Sequence, residues 1–282
     1  MWPIIDTHQH LWDLDRFRLP WTADVPTLAR SFLPADYRQA TDGLGIVRTI
    51  YMEVDVDPAQ QQAEADYVRE LCAQSDNPMA AAVIAGRPAS ERFASYIAPY
   101  RGDRYIKGVR QVLHRPETPP GYCLDEAFVA GIRLLGELGL TFDLCLRPGE
   151  LADGARLAAL CPHTRFVLDH CGNADVESDL AHWKRGLAAV ARQPHVICKV
   201  SGIVVTARQG QWRADDLAPV VNHVLDEFGP QRVVFGGDWP VCTLRASYRQ
   251  WLEALLEIVA DRPESLVRAL LHDNAVRYYG LA

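Results

Sequence analysis

The sequence predicts a closed (β/α)8 TIM barrel, and three observations predict it. Eight short, mostly apolar runs alternate with helix-like segments along the chain. Continuously apolar strands belong to parallel sheets covered by helices on their faces. The 282 residues match the length of such a barrel built as a single domain, expected here over 1–282. No G-x-G-x-x-G opens a helix and no P-loop is present, so an open nucleotide-binding sheet has no support.

The first strand is read in Ile4-Ile5-Asp6-Thr7-His8-Gln9-His10, where two apolar residues lead into His8 and His10, whose i, i+2 spacing puts both imidazoles on one face of a strand. Leu11 to Arg30 is rich in Trp, Pro and Asp and reads as a long irregular loop, which in a compact domain is usually functional. Its tryptophans either line a pocket or cap the barrel end. Pro34 to Thr41 reads as a short helix, Arg48 to Val54 as strand 2, and Ala59 to Ser75 as a helix carrying Ala63, Tyr67, Val68 and Leu71 near helical period. Ala80 to Ile84 is strand 3, and Ser90 is placed to N-cap the helix after it. Tyr105 to Val109 is strand 4, running into Arg110 and His114. A turn-rich loop from Pro116 to Gly121 leads to a helix over Asp125 to Leu138, stopped by Gly139.

Strand 5 is Leu140 to Leu146, followed by Arg147 and a helix over Leu151 to Leu160. Strand 6, Arg165 to Asp169, runs directly into His170-Cys171-Gly172-Asn173, and Asp179 to Arg192 is helical. Strand 7 is Val196 to Val200, and a helix covers Asp215 to Phe228. Strand 8, Arg232 to Phe235, closes on Gly236-Gly237-Asp238-Trp239-Pro240. Helical segments over Ser247 to Val259, Glu264 to Leu271 and Asn274 to Tyr279 finish the chain.

Composition excludes several classes of function. A net charge of −7 offers no basic footprint for nucleic acid. No segment reaches the length of a membrane span, and the N-terminus has no basic and apolar leader pattern. The seven cysteines include no C-x-x-C pair, and Cys145, Cys171, Cys198 and Cys242 sit in or beside apolar runs. They read as buried thiols in a reducing compartment, so the expected location is the cytoplasm. The sequence leaves homo-oligomerisation open.

In a (β/α)8 barrel the active site gathers at the carboxyl ends of the strands. Strand 1 brings His8 and His10 there, strand 2 Glu53, strand 4 Arg110, strand 5 Arg147, strand 6 His170, strand 7 Lys199 and strand 8 Asp238. Taken singly, Glu53 or Lys199 fits a buried ion pair and Arg147 a loop-packing arginine. Three histidines and an aspartate on one rim point to a joint site. Neutral imidazoles and a carboxylate hold a metal or surround a reacting water.

Asp6-Thr7-His8-Gln9-His10, Asp169-His170-Cys171-Gly172 and Gly236-Gly237-Asp238-Trp239-Pro240 resemble signatures of the amidohydrolase superfamily. More narrowly, they are similar to its amidohydrolase-related branch of sugar-acid and dicarboxylate lactonases. Ile106-Lys107-Gly108-Val109-Arg110, Lys199-Val200-Ser201-Gly202 and Trp239-Pro240-Val241-Cys242 extend the resemblance over the full length.

The resemblance implies a hydrolase opening a sugar-acid lactone of the L-fucono- or L-rhamnono- type. It makes Asp238 the general base and His8, His10, His170 and Asp238 the ligands of any metal. Binuclear members carry a strand 5 histidine and a bridging strand 4 lysine. Here strand 5 ends in Leu146-Arg147-Pro148 and Lys107 is a poor bridge, so at most one divalent ion, zinc first, or none is expected. Arg110, Arg147 and His114 suit a carboxylate or sugar hydroxyls, with Lys199, Glu53 and Trp239 as further substrate-side candidates. The alternatives are a metal-dependent decarboxylase of the same superfamily and a non-catalytic barrel that binds a sugar acid.

Overall fold

The computed structural model describes residues 2–281. Eight parallel strands form one sheet in the order of the chain: β1 (Ile4–Gln9), β2 (Ile46–Met52), β3 (Met79–Ala85), β4 (Ile106–Val112), β5 (Thr141–Cys145), β6 (Arg165–Leu168), β7 (Val196–Val200) and β8 (Val233–Phe235). The sheet closes through β1 and the segment after β8. Asp238 N–H donates to the His8 carbonyl and His10 N–H to the Trp239 carbonyl, each at 2.8 Å. The expected (β/α)8 barrel is therefore the observed one, and its seam lies between the first and last site motifs.

Helices cover the strands: α1 (Pro34–Ala40), α2 (Gln61–Ala73), α3 (Phe93–Ile97), α4 (Glu126–Leu138), α5 (Leu151–Leu160), the single turn α6 (His170–Asn173), α7 (Ala181–Ala191), α8 (Ala214–Phe228), α9 (Tyr248–Ile258), α10 (Glu264–Arg268) and α11 (Asn274–Tyr279). Gly139 ends α4 at a φ of +76°, the left-handed conformation glycine adopts without a Cβ clash. Ser90 does not cap α3 directly; its hydroxyl accepts the N–H of Arg92, one residue ahead of the helix. The expected helix from Glu264 is interrupted by a π-turn over Ala269–Asp273. None of the described helices is long and apolar enough to cross a membrane.

Two apolar layers follow from the period-2 alternation of the strands. The outward side chains and the helices make the larger core. Inside the barrel, Ile5, Ile50, Met52, Ala81, Val83, Val167, Ile197 and Val234 pack with Ala275, Tyr279 and Leu281 of the chain's end, which plugs the barrel floor. One or two positions further along the same inward rows, the residues turn polar. Ile197 is followed by Lys199 and Ser201, Val167 by Asp169, and Thr141 by Asp143 and Cys145. The floor is oil and the upper half is charge.

Asp6 holds the seam. Its buried carboxylate accepts from the N–H of His8 and Gly237 at 2.9 and 2.7 Å, and from the hydroxyls of Tyr37 and Tyr248 at 2.8 and 2.9 Å. Those donors come from β1, the turn after β8, α1 and α9. Gly237 must be glycine for this approach, because a Cβ there would lie 2.3 Å from the Tyr248 ring and 2.7 Å from Asp6 Oδ2.

Candidate active site

The strand ends bring His8, His10, His170 and Asp238 into one cluster. The His8 ring centroid lies 4.8 Å from that of His10 and 4.4 Å from that of His170. Asp238 Oδ1 is 3.4 Å from His10 Nε2 and 3.7 Å from His8 Nε2. Both Asp238 and His170 have left-handed backbones, with φ of 54° and 52°. Non-glycine residues adopt that region at a cost, and such strain collects at active sites. The chain after β6 and β8 turns sharply here to aim these side chains inward.

A cavity of about 270 Å³ opens over the cluster, walled by His10, Arg110, His114, His170 and Asp238 together with Trp21, Asp55, Arg115, Cys145 and Asn173. The orienting bonds are specific. His10 Nδ1 meets the Met52 carbonyl at 2.9 Å, and His170 Nδ1 meets the Ser201 hydroxyl at 2.9 Å. His8 Nδ1 faces Asp169 Oδ1 at 3.4 Å. Burial, then Lys199, holds the His8 imidazole well below its ordinary pKa. Burial likewise lowers His170, against the opposing pull of Asp238 and Asp169. Both rings are thus neutral at neutral pH, the state a metal ligand or hydrogen-bond acceptor needs.

Beneath this cluster lies a buried charged network, of which Arg110 alone reaches the cavity wall. Lys199 Nζ sits 2.8 Å from Asp143 Oδ2, 2.9 Å from Asp169 Oδ1 and 3.2 Å from His8 Nδ1. Burial opposes the charge on Lys199, but Asp143 and Asp169 outweigh it and raise its pKa. Arg110 donates from Nε to Glu53 Oε1 and from Nη2 to the Glu53 carbonyl, both at 2.7 Å. Its Nη1 points to His8 Nε2 at 3.3 Å and to Asp169 Oδ2 at 3.4 Å.

The sequence-derived substrate residues therefore separate. Arg110 and His114 wall the cavity. Lys199 and Glu53 are fully buried below it and position His8 and Arg110. Trp239 is buried against Phe32 and Tyr37. Arg147 does not line the cavity: it pairs with Glu150 at 2.9 Å and donates to the carbonyls of Arg115 and Thr118. The reason is the early end of β5 at Cys145, after which Pro148 starts a turn. Arg147→Met should accordingly lower the melting temperature while kcat stays near wild type. A large rise in KM alone would return Arg147 to the substrate.

Sequence reading missed Asp55, Arg115 and Cys145. Asp55 accepts from Arg115 Nε at 2.6 Å and from Arg87 at 3.1 Å, a pairing across 60 residues of chain. Its only sequence signal was its place two residues after Glu53. Of the two ring tryptophans in the long first loop, Trp21 lines the cavity, whereas Trp12 is buried against Trp21 and Phe32.

Donor atoms of His8, His170 and Asp238 all lie within 4.8 Å of one another. Two neutral imidazoles and a carboxylate form a donor set that suits a borderline cation such as Zn²⁺, and His10 stands beside it. The residues present fit one such ion. Seating it on His8 Nε2 would displace the Arg110 contact.

A (β/α)8 barrel with histidines and an aspartate converging at its carboxyl-end mouth is the layout of a hydrolytic barrel enzyme. The chain belongs to the amidohydrolase family, whose model matches residues 5–281. It is 32% identical to an L-fucono-1,5-lactonase of Burkholderia multivorans, over 98% of this chain and 96% of that one. It is 27% identical to an L-fucono-1,5-lactonase of Burkholderia ambifaria, over 98% and 94%. A zinc-bound crystal structure of an amidohydrolase from Burkholderia multivorans superposes with a TM-score of 0.87, at 30% identity over 99% of both chains.

Proposed function

We propose that this protein hydrolyses a sugar-acid lactone of the L-fucono- or L-rhamnono- type, acting as a single domain over 1–282. The observation that carries the reading is Asp238, set between His8 and His10 at the base of a cavity sized for a small ring. The full-length similarity to lactonases narrows the substrate class.

The chemistry follows from the residues. A water held against Asp238 gives up a proton to that carboxylate as its oxygen attacks the ring carbonyl. The oxyanion that forms lies within reach of Arg110, whose guanidinium is held charged: burial opposes the charge, but Glu53 outweighs it. Collapse breaks the bond from the acyl carbon to the ring oxygen, and the proton on Asp238 passes to the departing alkoxide. Water has then been added across one C–O bond, and the hydroxy acid leaves. A single divalent ion held by His8, His170 and Asp238, with His10 beside it, would supply carbonyl polarisation or a lowered water pKa. Trp21, Asp55, His114 and Arg115 face the remainder of the ligand. Arg115→Met should mainly raise KM, because a contact to the unreacting part of the substrate is shared by ground and transition states. Equal losses in kcat and kcat/KM would instead place Arg115 on the reacting atoms.

Buried, unpaired cysteines throughout the described chain support a reducing compartment such as the cytoplasm. A panel of aldonolactones, followed by pH indicator with and without chelator, tests the function. Proton release on one or a few lactones is expected. Silence across the panel, or release of CO₂ from a carboxylated ring, would overturn it. Metal analysis of the purified protein should find no more than one equivalent per chain, and two would refute the reading of strand 5.

A further inference from the structure

A second cavity, of about 280 Å³, adjoins the first. The two share Trp21, Asp55, Val112 and Arg115, so they are neighbours across one wall. The rest of its lining includes Pro20, Pro58, Arg87, Gln111, Glu117 and Thr118, none of which the chemistry above uses. The shared wall is held in place. Asp55 accepts from Arg115 Nε at 2.6 Å and from Arg87 Nη2 at 3.1 Å, and Arg147 donates to the carbonyls of Arg115 and Thr118. Gln111 is the exception to this order. It is only 9% exposed, and its Oε1 has no hydrogen-bond partner. A buried amide oxygen left unpaired costs free energy that a ligand can recover.

We propose that the second cavity receives a second sugar ring, so that the substrate is a glycosylated aldonolactone, with its reacting ring over Asp238 and its added ring beside Trp21. This rests on the lactonase reading of the first cavity. Size favours it, since the second volume of about 280 Å³ nearly equals the first of about 270 Å³. A ligand of two rings fills both.

Charge narrows the class to a neutral ligand. The lining sets three carboxylates, Asp55, Asp57 and Glu117, against two arginines. Both arginines already sit on Asp55, so neither is left to receive a carboxylate or phosphate. Asp57 is paired outside the cavity with Arg18 at 2.8 Å. What the lining offers instead is a mixture of apolar surface, from Trp21, Pro20, Pro58 and Val112, and polar groups on Gln111, Glu117 and Thr118. A pyranose has the matching two aspects: C–H faces, and a rim of hydroxyls that both donate and accept. Gln111 can turn about its terminal bond to give a hydroxyl either its oxygen or its N–H groups. The glycosidic bond takes no part in the reaction. Water adds across the lactone C–O bond alone, and a disaccharide acid leaves.

Calorimetry and saturation-transfer NMR on the product acids test this without turnover. The probes are the 3-O- and 4-O-galactosyl derivatives of L-fuconate and L-rhamnonate, each against its plain monosaccharide acid. At least one disaccharide acid should bind about tenfold or more tighter than its parent, the worth of a few added hydrogen bonds, with saturation reaching the galactosyl protons. Gln111→Leu should cut the disaccharide-to-monosaccharide affinity ratio by roughly two- to tenfold, as loss of one hydrogen bond does. Glu117→Ala, on an exposed loop position, should also lower the ratio and keeps the test decisive should the Gln111 variant misfold. No gain for any disaccharide acid in wild type overturns the proposal, and a monosaccharide acid that still binds leaves the lactonase reading standing. A gain that survives undiminished in both variants also overturns it, because the added ring then lies elsewhere. A gain that both variants lower, together with silence on the lactone panel, keeps the second cavity as a sugar site and overturns the lactonase reading instead.

Discussion

Asp238→Asn should keep the fold and lose about 10² to 10⁴ of kcat on the lactone identified by the panel, the usual worth of a general base. The amide matches the carboxylate in size, so the contacts that hold the turn persist: the backbone bond to the His8 carbonyl at 2.8 Å comes from Asp238 N–H, not from its side chain. What disappears is the group that takes a proton from water and returns it to the leaving oxygen. The loss should fall on kcat, since Trp21, His114 and Arg115 remain to hold the ring. Melting temperature should move little. Turnover near wild type would place the base elsewhere. Glu53 is then a poor substitute, for it lies fully buried with Oε1 on Arg110 and Oε2 on the Asp55 N–H. Asp55 would be the carboxylate to test next, as it lines the cavity.

The barrel was legible because its signal is repeated and local. Each strand is a short apolar run, each helix shows its own period, and boundaries such as Leu151–Leu160 and Val196–Val200 are written in the chain. The four-residue cluster was legible for a related reason: the rim rule converts the end of a strand into a position in space. Depth within the barrel was not legible in the same way. Lys199 looks like a rim residue, yet it stands in the inward row directly above Ile197 and is sealed under His8. Reading it needed the pairing partners Asp143 and Asp169, which come from β5 and the end of β6. Strand 4 runs to Val112, beyond its expected end, so Arg110 is a strand residue fixed by Glu53 rather than a mobile loop arginine. Asp55 and Arg115 stayed hidden because nothing local marks a loop carboxylate that pairs with an arginine two strands away.

Lys199→Met should be the most destabilising change at the site. The side chain is fully buried, and its ammonium sits between Asp143 and Asp169 at 2.8 and 2.9 Å. Methionine fills most of the volume but leaves two buried carboxylates without that cation. Removing one partner from a buried ion network costs about 3–5 kcal/mol, a fall in melting temperature of roughly 6–15 °C for a chain of this size class. The loss should depend on pH in a definite sense. Burial alone would raise Asp169, but Lys199 and then His8 hold it well below its ordinary value. A depressed carboxylate adds stability above its unfolded pKa, and that contribution fades as pH falls through the folded one. Burial pushes Asp143 up to about 7 against the pull of Lys199, so the folded state increasingly resists its ionisation as pH rises through that value. Without Lys199 both carboxylates are harder to keep charged. The gap between wild type and Lys199→Met should therefore be wider at about pH 8 than at about pH 5. Adding Asp143→Asn to Lys199→Met removes one of the stranded charges and should recover part of the lost melting temperature. A gap that stays constant across this range, or a double variant no more stable than the single one, would mean that Lys199 is held for packing rather than for charge.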